Sequence, residues 1–323
     1  MKIFALNATR SFGGLIAGEL NMTLSAHEER EFEDGEHKAR PLENVRNQDI
    51  FVIHSLYGDA SQSANDKLCR LLFFTAALKD ASANTVTAVI PYLCYARKDR
   101  KTKPHDPVTT RYIARLMETS GIDSVVTMDV HNLQAYQNAF SIPSENLEAR
   151  KLFAAHLVRE VKDDSAVIMS PDFGGVKRAE QFQLSLRKQL SKEFPVVFME
   201  KYRSSGQVSG DRVTGEVKDK TVIIIDDLIS TGGTIARAAS ACEKLGAKKV
   251  VAMATHGLFT GNPDETLLKS PLGQIIVTNT VPPFRLEHTM VKEKLTVLNA
   301  APLFAQVIKR IQEGGSVAEL FDD

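Results

Sequence analysis

The amino-acid sequence predicts an α/β protein of two domains, each with a mostly parallel sheet flanked by helices. Short β-branched runs recur along the chain, and segments with helical periodicity separate several of them. The length of 323 residues exceeds that of one ordinary domain. Alternation of strands and helices is typical of parallel sheets, because two parallel neighbours need a long crossover connection.

The β-branched runs have the composition of buried strands, since both faces of a parallel sheet are covered. They are Ile50–His54, Val86–Ile90, Ser124–Met128, Ala166–Met169, Thr221–Ile225 and Val250–Ala254. The helical segments carry apolar residues at intervals of three and four. They lie around Leu68–Leu78, Ile113–Met117 and Ile235–Leu245. Gly121 and Gly246 follow the last two, as expected of helix C-caps.

The domain boundary is predicted where this periodicity breaks, near Ser141–Leu147, where Pro143 and the polar Ser144, Glu145 and Asn146 interrupt the pattern. We therefore predict an N-terminal domain over residues 1–147 and a C-terminal domain over residues 148–301. Residues 302–323 hold one predicted helix, Pro302–Ile311, and a short turn, Ser316–Phe321. They are too few to form a domain, and we expect them to pack back on the N-terminal domain.

Composition excludes several functional classes. Forty Lys and Arg balance forty Asp and Glu, so no global positive field attracts a long polyanion such as a nucleic acid. No apolar run approaches the roughly 18 residues of a membrane-spanning helix, and the N-terminal residues lack the apolar core of a signal peptide. Three cysteines without paired spacing argue against a disulfide framework or a cysteine zinc site. We expect a cytoplasmic protein without nucleic-acid or membrane partners, in which any phosphate chemistry must be local.

The strongest chemical signal is the segment TVIIIDDLISTGGT at Thr221–Thr234. An apolar strand is followed by Asp226 and Asp227 and then by a loop that enters a helix. The loop residues are Ser230, Thr231, Gly232, Gly233 and Thr234. Glycines let the backbone approach a ligand, and N–H groups at a helix start attract a phosphate. The two acids suit sugar hydroxyls or their metal, and a merely structural turn is disfavoured because adjacent acids at a strand end rarely have a structural role.

This segment resembles the ribose 5-phosphate loop of the type I phosphoribosyltransferase fold, and the absence of a G-x-x-x-x-G-K-[ST] motif makes a Walker-type ATPase an unsuitable alternative. Six further segments, in the same order, resemble the ribose-phosphate diphosphokinases, or phosphoribosyl pyrophosphate synthases. They are FEDGE at Phe32–Glu36, PYLCYARKDR at Pro91–Arg100, DVH at Asp129–His131, SPDFGGVKRA at Ser170–Ala179, EKYR at Glu200–Arg203 and ATHG at Ala254–Gly257. The resemblance extends over nearly the whole chain.

The resemblance implies two type I phosphoribosyltransferase-like domains. It also implies transfer of the β,γ-diphosphate of MgATP to the 1-hydroxyl of ribose 5-phosphate, with AMP and phosphoribosyl pyrophosphate as products. Because the family's ATP site borrows the FEDGE segment from a neighbouring subunit, a homo-oligomer is implied, and the family builds hexamers from dimers. The segment Lys101–Thr110 resembles the family's loop that closes over ATP and excludes water.

The resemblance also implies roles for individual residues. The ATP-binding residues would be Phe32, Asp34, Glu36, Arg97, Lys98, Asp99 and His131. The ribose 5-phosphate-binding residues would be Arg203, Asp226, Asp227, Ser230, Thr231, Gly232, Gly233 and Thr234. Lys201 and Arg203 would be the catalytic pair, and His131 and Asp172 the positions associated with the cofactor Mg²⁺. Since His131 and Asp172 fall in different predicted domains, one active site between the domains would follow.

Each of these residue types has a structural alternative. The FEDGE segment has the composition of an ordinary acidic turn, and Arg97 to Asp99 that of a solvated charge run. A lone histidine is more often a structural hydrogen-bonding group than a ligand. Imidazole is also a poor ligand for bare Mg²⁺, so contact of His131 through water or a phosphate is as plausible as direct ligation.

Two departures from the family pattern stand out. Ser230 occupies a position where the commonest family loop has a third acid, and Lys98 replaces a usual glutamine. Two other functions therefore stay open, a nucleobase phosphoribosyltransferase and a non-catalytic regulatory paralogue. The two-domain length and the FEDGE and YARKDR segments argue against the first, and the retention of Lys201 and Arg203 argues against the second.

Overall fold

The computed structural model describes residues 1–160, 165–204, 207–286 and 289–321, and within these ranges it leaves aside the side chains of residues 159–160, 201–204 and 207–211. The chain divides into two compact units. Unit 1 is Met1–Glu148 together with the segment that begins at Ala300, and unit 2 is Ala149–Asn299. In the described part of the chain, no helix has the length and apolar character needed to cross a membrane.

Unit 1 is built on a parallel sheet of five strands. Its elements, up to the end of the first sheet, are β1 (Lys2–Ala5), α1 (Arg10–Glu19), β2 (His27–Glu31), β3 (His37–Pro41), β4 (Asp49–Ile53), α2 (Ala64–Asp80), β5 (Thr85–Ile90), α3 (Thr109–Thr119), β6 (Ser124–Met128), α4 (Leu133–Ala139) and β7 (Ser144–Leu147). The strand order is β1-β4-β5-β6-β7, and β2 and β3 form a separate antiparallel hairpin. The predicted strand Ser124–Met128 is confirmed with the same bounds.

Strand β7 corrects the sequence interpretation of Ser141–Leu147 as a break. Ser144 pairs with Val125 of β6, and Leu147 pairs with Met128. Only Leu147 is fully buried among the four residues of this strand. An edge strand has one neighbour and one partly open face, so its polar residues carry no apolar periodicity that a sequence could reveal.

Unit 2 is built on a sheet of seven strands. Its elements are α5 (Arg150–Glu160), β8 (Ala166–Ser170), α6 (Val176–Leu190), β9 (Val196–Ser204), β10 (Gln207–Thr214), β11 (Thr221–Ile229), α7 (Gly233–Lys244), β12 (Lys249–Gly257), β13 (Leu272–Thr278) and β14 (Leu295–Leu298). The order is β10-β9-β8-β11-β12-β13-β14. β10 pairs with β9 in antiparallel fashion, whereas the other neighbouring pairs are parallel. The α/β class with mostly parallel sheets is thereby confirmed.

Strand β11 continues four residues beyond the predicted end at Ile225. Asp226 pairs with Ala254 of β12, and Leu228 pairs with His256. The strand pairing with β12 continues beyond the apolar residues of β11. The two acids therefore belong to the strand and not to the loop after it. The carboxyl ends of β8, β11 and β12 lie at one edge of the sheet, the position at which parallel α/β sheets bind ligands.

The last helix, α8 (Ala301–Glu313), belongs to unit 1. It packs on α1, where the rings of Phe12 and Phe304 meet edge to face with centroids 5.6 Å apart. Phe304 and Ile308 are fully buried. The two ends of the chain therefore complete one core.

Candidate functional site

The centre of the site in unit 2 is a pair of adjacent acids at the end of β11. Asp227 is buried, with 3% of its surface exposed, and its N–H donates to Oδ1 of Asp226 at 2.9 Å. Burial and the neighbouring Asp227 carboxylate raise the pKa of Asp226 well above its usual value. Carboxylates in this arrangement accept hydrogen bonds from adjacent hydroxyl groups.

Among the described side chains, one cation faces this pair. Nη1 of Arg178, in the first turn of α6, lies 3.4 Å from Oδ1 of Asp226 and 3.5 Å from Oδ1 of Asp227. Arg178 thereby lowers the pKa of Asp226 against the larger effect of burial. Sequence reasoning matched the SPDFGGVKRA segment but gave this residue no role. Its position in the chain could have indicated this contact. Arg178 lies at the start of the helix that follows β8, and that helix begins beside the neighbouring strand β11.

The loop after β11 has a backbone that requires glycine. Gly232 has φ +81°, and a Cβ there would lie 2.6 Å from Cδ2 of the buried Leu267. The side chain of Ser230 lies 3.1 Å from Oγ1 of Thr260, and the Thr260 N–H donates to the Ser230 carbonyl at 2.9 Å. These two contacts hold Ser230 of the loop against Thr260. Helix α7 then begins at Gly233, so its first N–H groups follow the loop directly, as a phosphate site needs.

Asp172 follows β8 at the same edge of the sheet. Its Oδ1 accepts the N–H of Gly175 at 3.1 Å, and its carbonyl accepts the hydroxyl of Ser170 at 2.7 Å. The next residue, Phe173, is 77% exposed. Within unit 2, the structure thus places Asp172 and the acid pair on neighbouring strand ends.

The predicted catalytic pair lies on strand β9. Ser170 of β8 pairs with Phe198, so the part of β9 from Met199 onward extends past the end of β8. There Lys201 pairs with Asp211 and Arg203 with Val208 of β10. The side chains of Lys201 and Arg203 lie outside the described part of the chain, and their catalytic roles stay predictions.

In unit 1, the FEDGE segment forms the tip of the β2–β3 hairpin. The Phe32 N–H donates to the Glu36 carbonyl at 2.8 Å, and Gly35 turns the chain with φ +89°. Oδ1 of Asp34 accepts the Glu36 N–H at 3.1 Å. All these residues are exposed, and the guanidinium of Arg30 lies 5.3 Å from the centre of the Phe32 ring. The tip presents an aromatic ring and carboxylates to solvent on an ordered turn.

The base of this hairpin holds a buried ionic cluster. The Glu29 side chain is 4% exposed, and its Oε1 accepts the Asn7 N–H at 2.5 Å and lies 2.9 Å from Nε2 of His27. Nη1 of Arg70, on α2, lies 3.6 Å from Oε2 of Glu29, and Nη2 donates to Glu31 at 2.7 Å. Burial alone would raise the pKa of Glu29, but the hydrogen bonds from His27 and Asn7 hold that pKa below its usual value. Arg70 therefore joins the hairpin to α2 through two carboxylates.

The segment after β5 is joined to its own following loop. Nζ of Lys98 donates to Oδ2 of Asp106 at 2.6 Å, and that oxygen also accepts the N–H groups of Thr102 and Lys103. The Lys98 hydrogen bond, followed by those of Thr102, lowers the pKa of Asp106. Sequence alone did not indicate this pairing, which holds the predicted ATP-closing loop against the predicted ATP-binding lysine.

Asp99 connects this segment to the end of β6. Its Oδ2 accepts a hydrogen bond from Nδ2 of Asn132 at 2.6 Å, and Oδ1 of Asn132 caps α4 by accepting the Ala135 N–H. Arg97 and His131 are exposed. Within unit 1, the structure brings Asp99 next to the DVH segment, whereas the FEDGE tip belongs to a separate hairpin.

Two family models match the chain. That of the N-terminal domain of ribose phosphate pyrophosphokinase matches residues 1–121. That of the phosphoribosyl synthetase-associated domain matches residues 203–322. The two matches fall in the first and second halves of the sequence.

Named relatives match over the full length. The ribose-phosphate pyrophosphokinase of Hyphomonas neptunium is 37% identical and covers 100% of both chains. Ribose-phosphate pyrophosphokinase A of Dictyostelium discoideum is 36% identical over 100% of this chain and 98% of its own. Among solved structures, phosphoribosylpyrophosphate synthetase from Mycobacterium smegmatis aligns with a TM-score of 0.88 and 36% identity, covering 97% of this chain and 99% of that one.

Proposed function

Because the chain belongs to the ribose-phosphate pyrophosphokinase family, we propose that it transfers the β,γ-diphosphate of MgATP to the 1-hydroxyl of ribose 5-phosphate. The products are phosphoribosyl pyrophosphate and AMP. The observation that carries this proposal is the half-buried Asp226 next to the buried Asp227, two residues before the glycine loop at the start of α7. A pair of hydroxyl acceptors next to a phosphate cradle fits a sugar phosphate.

The sugar phosphate is assigned to unit 2. The 5-phosphate binds the N–H groups of the loop residues Ser230 to Thr234, where the helix start supplies partial positive charge. The ribose hydroxyls donate to Asp226 and Asp227. The guanidinium of Arg178 lies beside both carboxylates and favours their ionised form.

ATP is assigned to the FEDGE tip and to the segment after β5. Phe32 offers a face for the adenine ring, and Asp34 and Glu36 offer acceptors for its amino group. Arg97 and Lys98 carry the charge that phosphates need, and His131 completes the set at the end of β6. The FEDGE tip serves the ATP site of a neighbouring subunit, so the active protein is a dimer or a hexamer built from dimers.

Of the two positions associated with Mg²⁺, Asp172 has donor atoms that fit this ion better than those of His131. Mg²⁺ prefers oxygen ligands and is usually held by one or two carboxylates together with substrate phosphates. Asp172 offers such a carboxylate at the edge of the unit 2 sheet. The imidazole of His131 suits Mg²⁺ poorly, so we assign it to a water or a phosphate oxygen of the complex. Mg²⁺ bound there would supply positive charge to the transferring phosphates.

Lys201 and Arg203 are assigned to the transition state. Phosphoryl transfer requires alignment of the sugar hydroxyl with the β-phosphorus and neutralisation of the oxygens as the bond to AMP breaks. Two cations on the extended part of β9 supply positive charge for that purpose. Removal of one such group lowers rates by about a hundred- to a thousandfold in comparable enzymes.

Product analysis tests the reaction. Purified protein with ATP, Mg²⁺ and ribose 5-phosphate should give AMP and phosphoribosyl pyrophosphate in equal amounts by mass spectrometry. Lys201→Ala should lower kcat by at least about a hundredfold without loss of folded structure. Lys218→Ala, at an exposed lysine of the same unit, serves as the matched control.

Two outcomes would overturn the proposal. Absence of AMP from the native protein would exclude the diphosphokinase and favour a regulatory paralogue. Consumption of phosphoribosyl pyrophosphate with release of diphosphate when a nucleobase is added would favour a nucleobase phosphoribosyltransferase.

A further inference from the structure

A cavity of about 920 Å³ opens on unit 2 among residues to which the proposed reaction gives no role. Its walls come from β10, from one face of α7 and from the segment around Asp264–Leu268. The α7 face that lines it is distinct from the buried face of that helix, which consists of Ile235, Ala238, Ala239 and Cys242. The volume lies in the range of small-molecule sites.

Positive charge dominates this cavity. Its charged lining residues are Arg212, Arg237, Lys244 and Lys269, and none of the described lining residues is acidic. Nζ of Lys269 lies 3.3 Å from Oε1 of Glu265, an exposed pair of little strength. Within the described residues, the other three cations form no ion pair. In a chain with formal net charge +0, this local excess creates a field that an anion would neutralise.

The spacing of the cations selects the kind of anion. Arg237 and Lys244 are seven residues apart on α7, which places them two helical turns, or about 10 Å, apart along the axis. Ser240 lies between them on the lining face and offers a hydroxyl. A single phosphate cannot reach both ends of this row, whereas a chain of phosphates or a molecule with phosphates at two positions can. Alanine, valine and leucine side chains of the lining leave room for a less polar part of the same molecule.

We propose that this cavity is a second anion site, which binds a small molecule carrying two or more phosphate groups. The site lies apart from the sugar-phosphate loop, since the cavity lining includes none of the residues 226–234. Its concave shape and limited volume favour a small ligand over a nucleic acid, whose backbone needs an extended basic surface. An acidic peptide is the alternative class of ligand, and the test separates the two.

Inorganic tripolyphosphate is the probe, titrated into the full chain by isothermal calorimetry without substrates. The double variant Arg237→Ser with Lys244→Ser should weaken one binding event at least tenfold. The charge-matched control, Lys218→Ser with Lys292→Ser, removes two exposed lysines of unit 2 outside the cavity and should bind as the native protein does. Arg237→Lys with Lys244→Arg, which keeps both charges, should retain binding and so separates loss of charge from loss of folding.

Hydrogen exchange locates the bound probe. Tripolyphosphate should slow amide exchange in residues 236–245 and 266–270 of the native protein but not of the serine double variant. Equal binding by the native protein and that variant would overturn the proposal, as would protection confined to residues outside the cavity. Tighter binding of a hepta-glutamate peptide than of tripolyphosphate at the same residues would assign the cavity to an acidic protein segment and likewise overturn it. Because no substrate or turnover enters these measurements, they stand or fall independently of the diphosphokinase proposal.

Discussion

At the residue scale, the charge of the acid pair depends on one arginine. Burial and mutual repulsion raise the pKa of Asp226, whereas the guanidinium of Arg178 lowers it. Two opposing effects on the pKa of Asp226 therefore act at this pair. Ionised carboxylates accept hydrogen bonds from hydroxyls more strongly than neutral ones, so on the proposed function the pH at which the pair ionises should set the pH at which ribose 5-phosphate binds well.

Arg178→Met should move the acidic limb of the pH profile for kcat/KM of ribose 5-phosphate to higher pH. Loss of the cation raises the pKa of Asp226 further, and a higher pH is then needed to ionise the carboxyl group. Arg178→Lys should give a smaller shift. Arg187→Met, at an exposed arginine of the same helix that pairs with Glu193, is the control and should leave the profile unchanged. Superimposable profiles for Arg178→Met and the native protein would contradict this role.

Gly232 is a second residue on which the site depends. Gly232→Ala should lower the free energy of unfolding by about 2–3 kcal/mol, because alanine is strained at φ +81° and its Cβ would displace Leu267. The KM for ribose 5-phosphate should rise as the loop shifts. Urea unfolding and steady-state kinetics measure the two effects.

The matched control is Gly14→Ala in helix α1. No atom lies within 4 Å of the position its Cβ would take, so this change should stabilise by about 0.5–1 kcal/mol. Equal effects of the two substitutions would show that neither the backbone conformation nor Leu267 constrains the loop.

At the element scale, the FEDGE tip belongs to the β2–β3 hairpin and not to the main sheet of unit 1. Its strands form a two-stranded sheet of their own, and such a hairpin is marginally stable by itself. The link from Arg70 to Glu29 and Glu31 fixes the hairpin to α2. The position of the proposed adenine-binding residues therefore depends on the ion pairs of Arg70, one with the buried Glu29 and one with Glu31 directly before the tip.

Arg70→Met should raise the KM for ATP more than it lowers kcat, and should speed amide exchange in residues 27–41. It leaves the buried Glu29 carboxylate without its guanidinium, which costs about 3 kcal/mol. Because the pKa of Glu29 lies below its usual value, the hairpin stabilisation from this carboxylate is present above about pH 4.5 and is lost as pH falls through the lowered pKa.

Arg40→Met provides the control on the same hairpin. Arg40 pairs with Glu28 at 2.6 Å but is 58% exposed, and exposed pairs contribute little. It should leave both the KM for ATP and the exchange of residues 27–41 near native values. An Arg70→Met protein with the same properties would show that the buried pair does not position the tip.

At the scale of the whole molecule, the last helix completes the first unit. Phe304→Ala should destabilise unit 1 by about 3–5 kcal/mol, since a fully buried ring packed on Phe12 is replaced by a cavity. Hydrogen exchange should accelerate in β1 and β4, at the opposite end of the sequence. Val297→Ala, at a side chain 40% exposed just before this helix, is the control. Unchanged exchange in β1 would contradict the dependence of unit 1 on α8.

The sequence predicted a strand with its correct bounds where that strand lies inside a sheet, between two neighbours. Ser124–Met128 was predicted with its observed bounds, because this strand is buried between two neighbours and holds the β-branched residues Val125, Val126 and Thr127 in a row. The edge strand β7 was missed, since its residues Ser144, Glu145 and Asn146 are polar. The end of β11 was placed too early for a related reason, as the ladder with β12 holds Asp226 and Asp227 in strand conformation.

The sequence by itself determined the fold class, the glycine loop with its two preceding acids and the family, because each is recorded in short contiguous segments. Only the tertiary structure decided that Arg178 faces the acid pair, that Lys98 pairs with Asp106, that Arg70 joins the hairpin to α2, and that α8 packs on α1. The local sequence pattern indicates the environment of each residue, but it does not identify the residue that each one contacts. Three of these four contacts join residues that lie tens to hundreds of positions apart, and the strength of those three depends on burial, which only the folded chain creates.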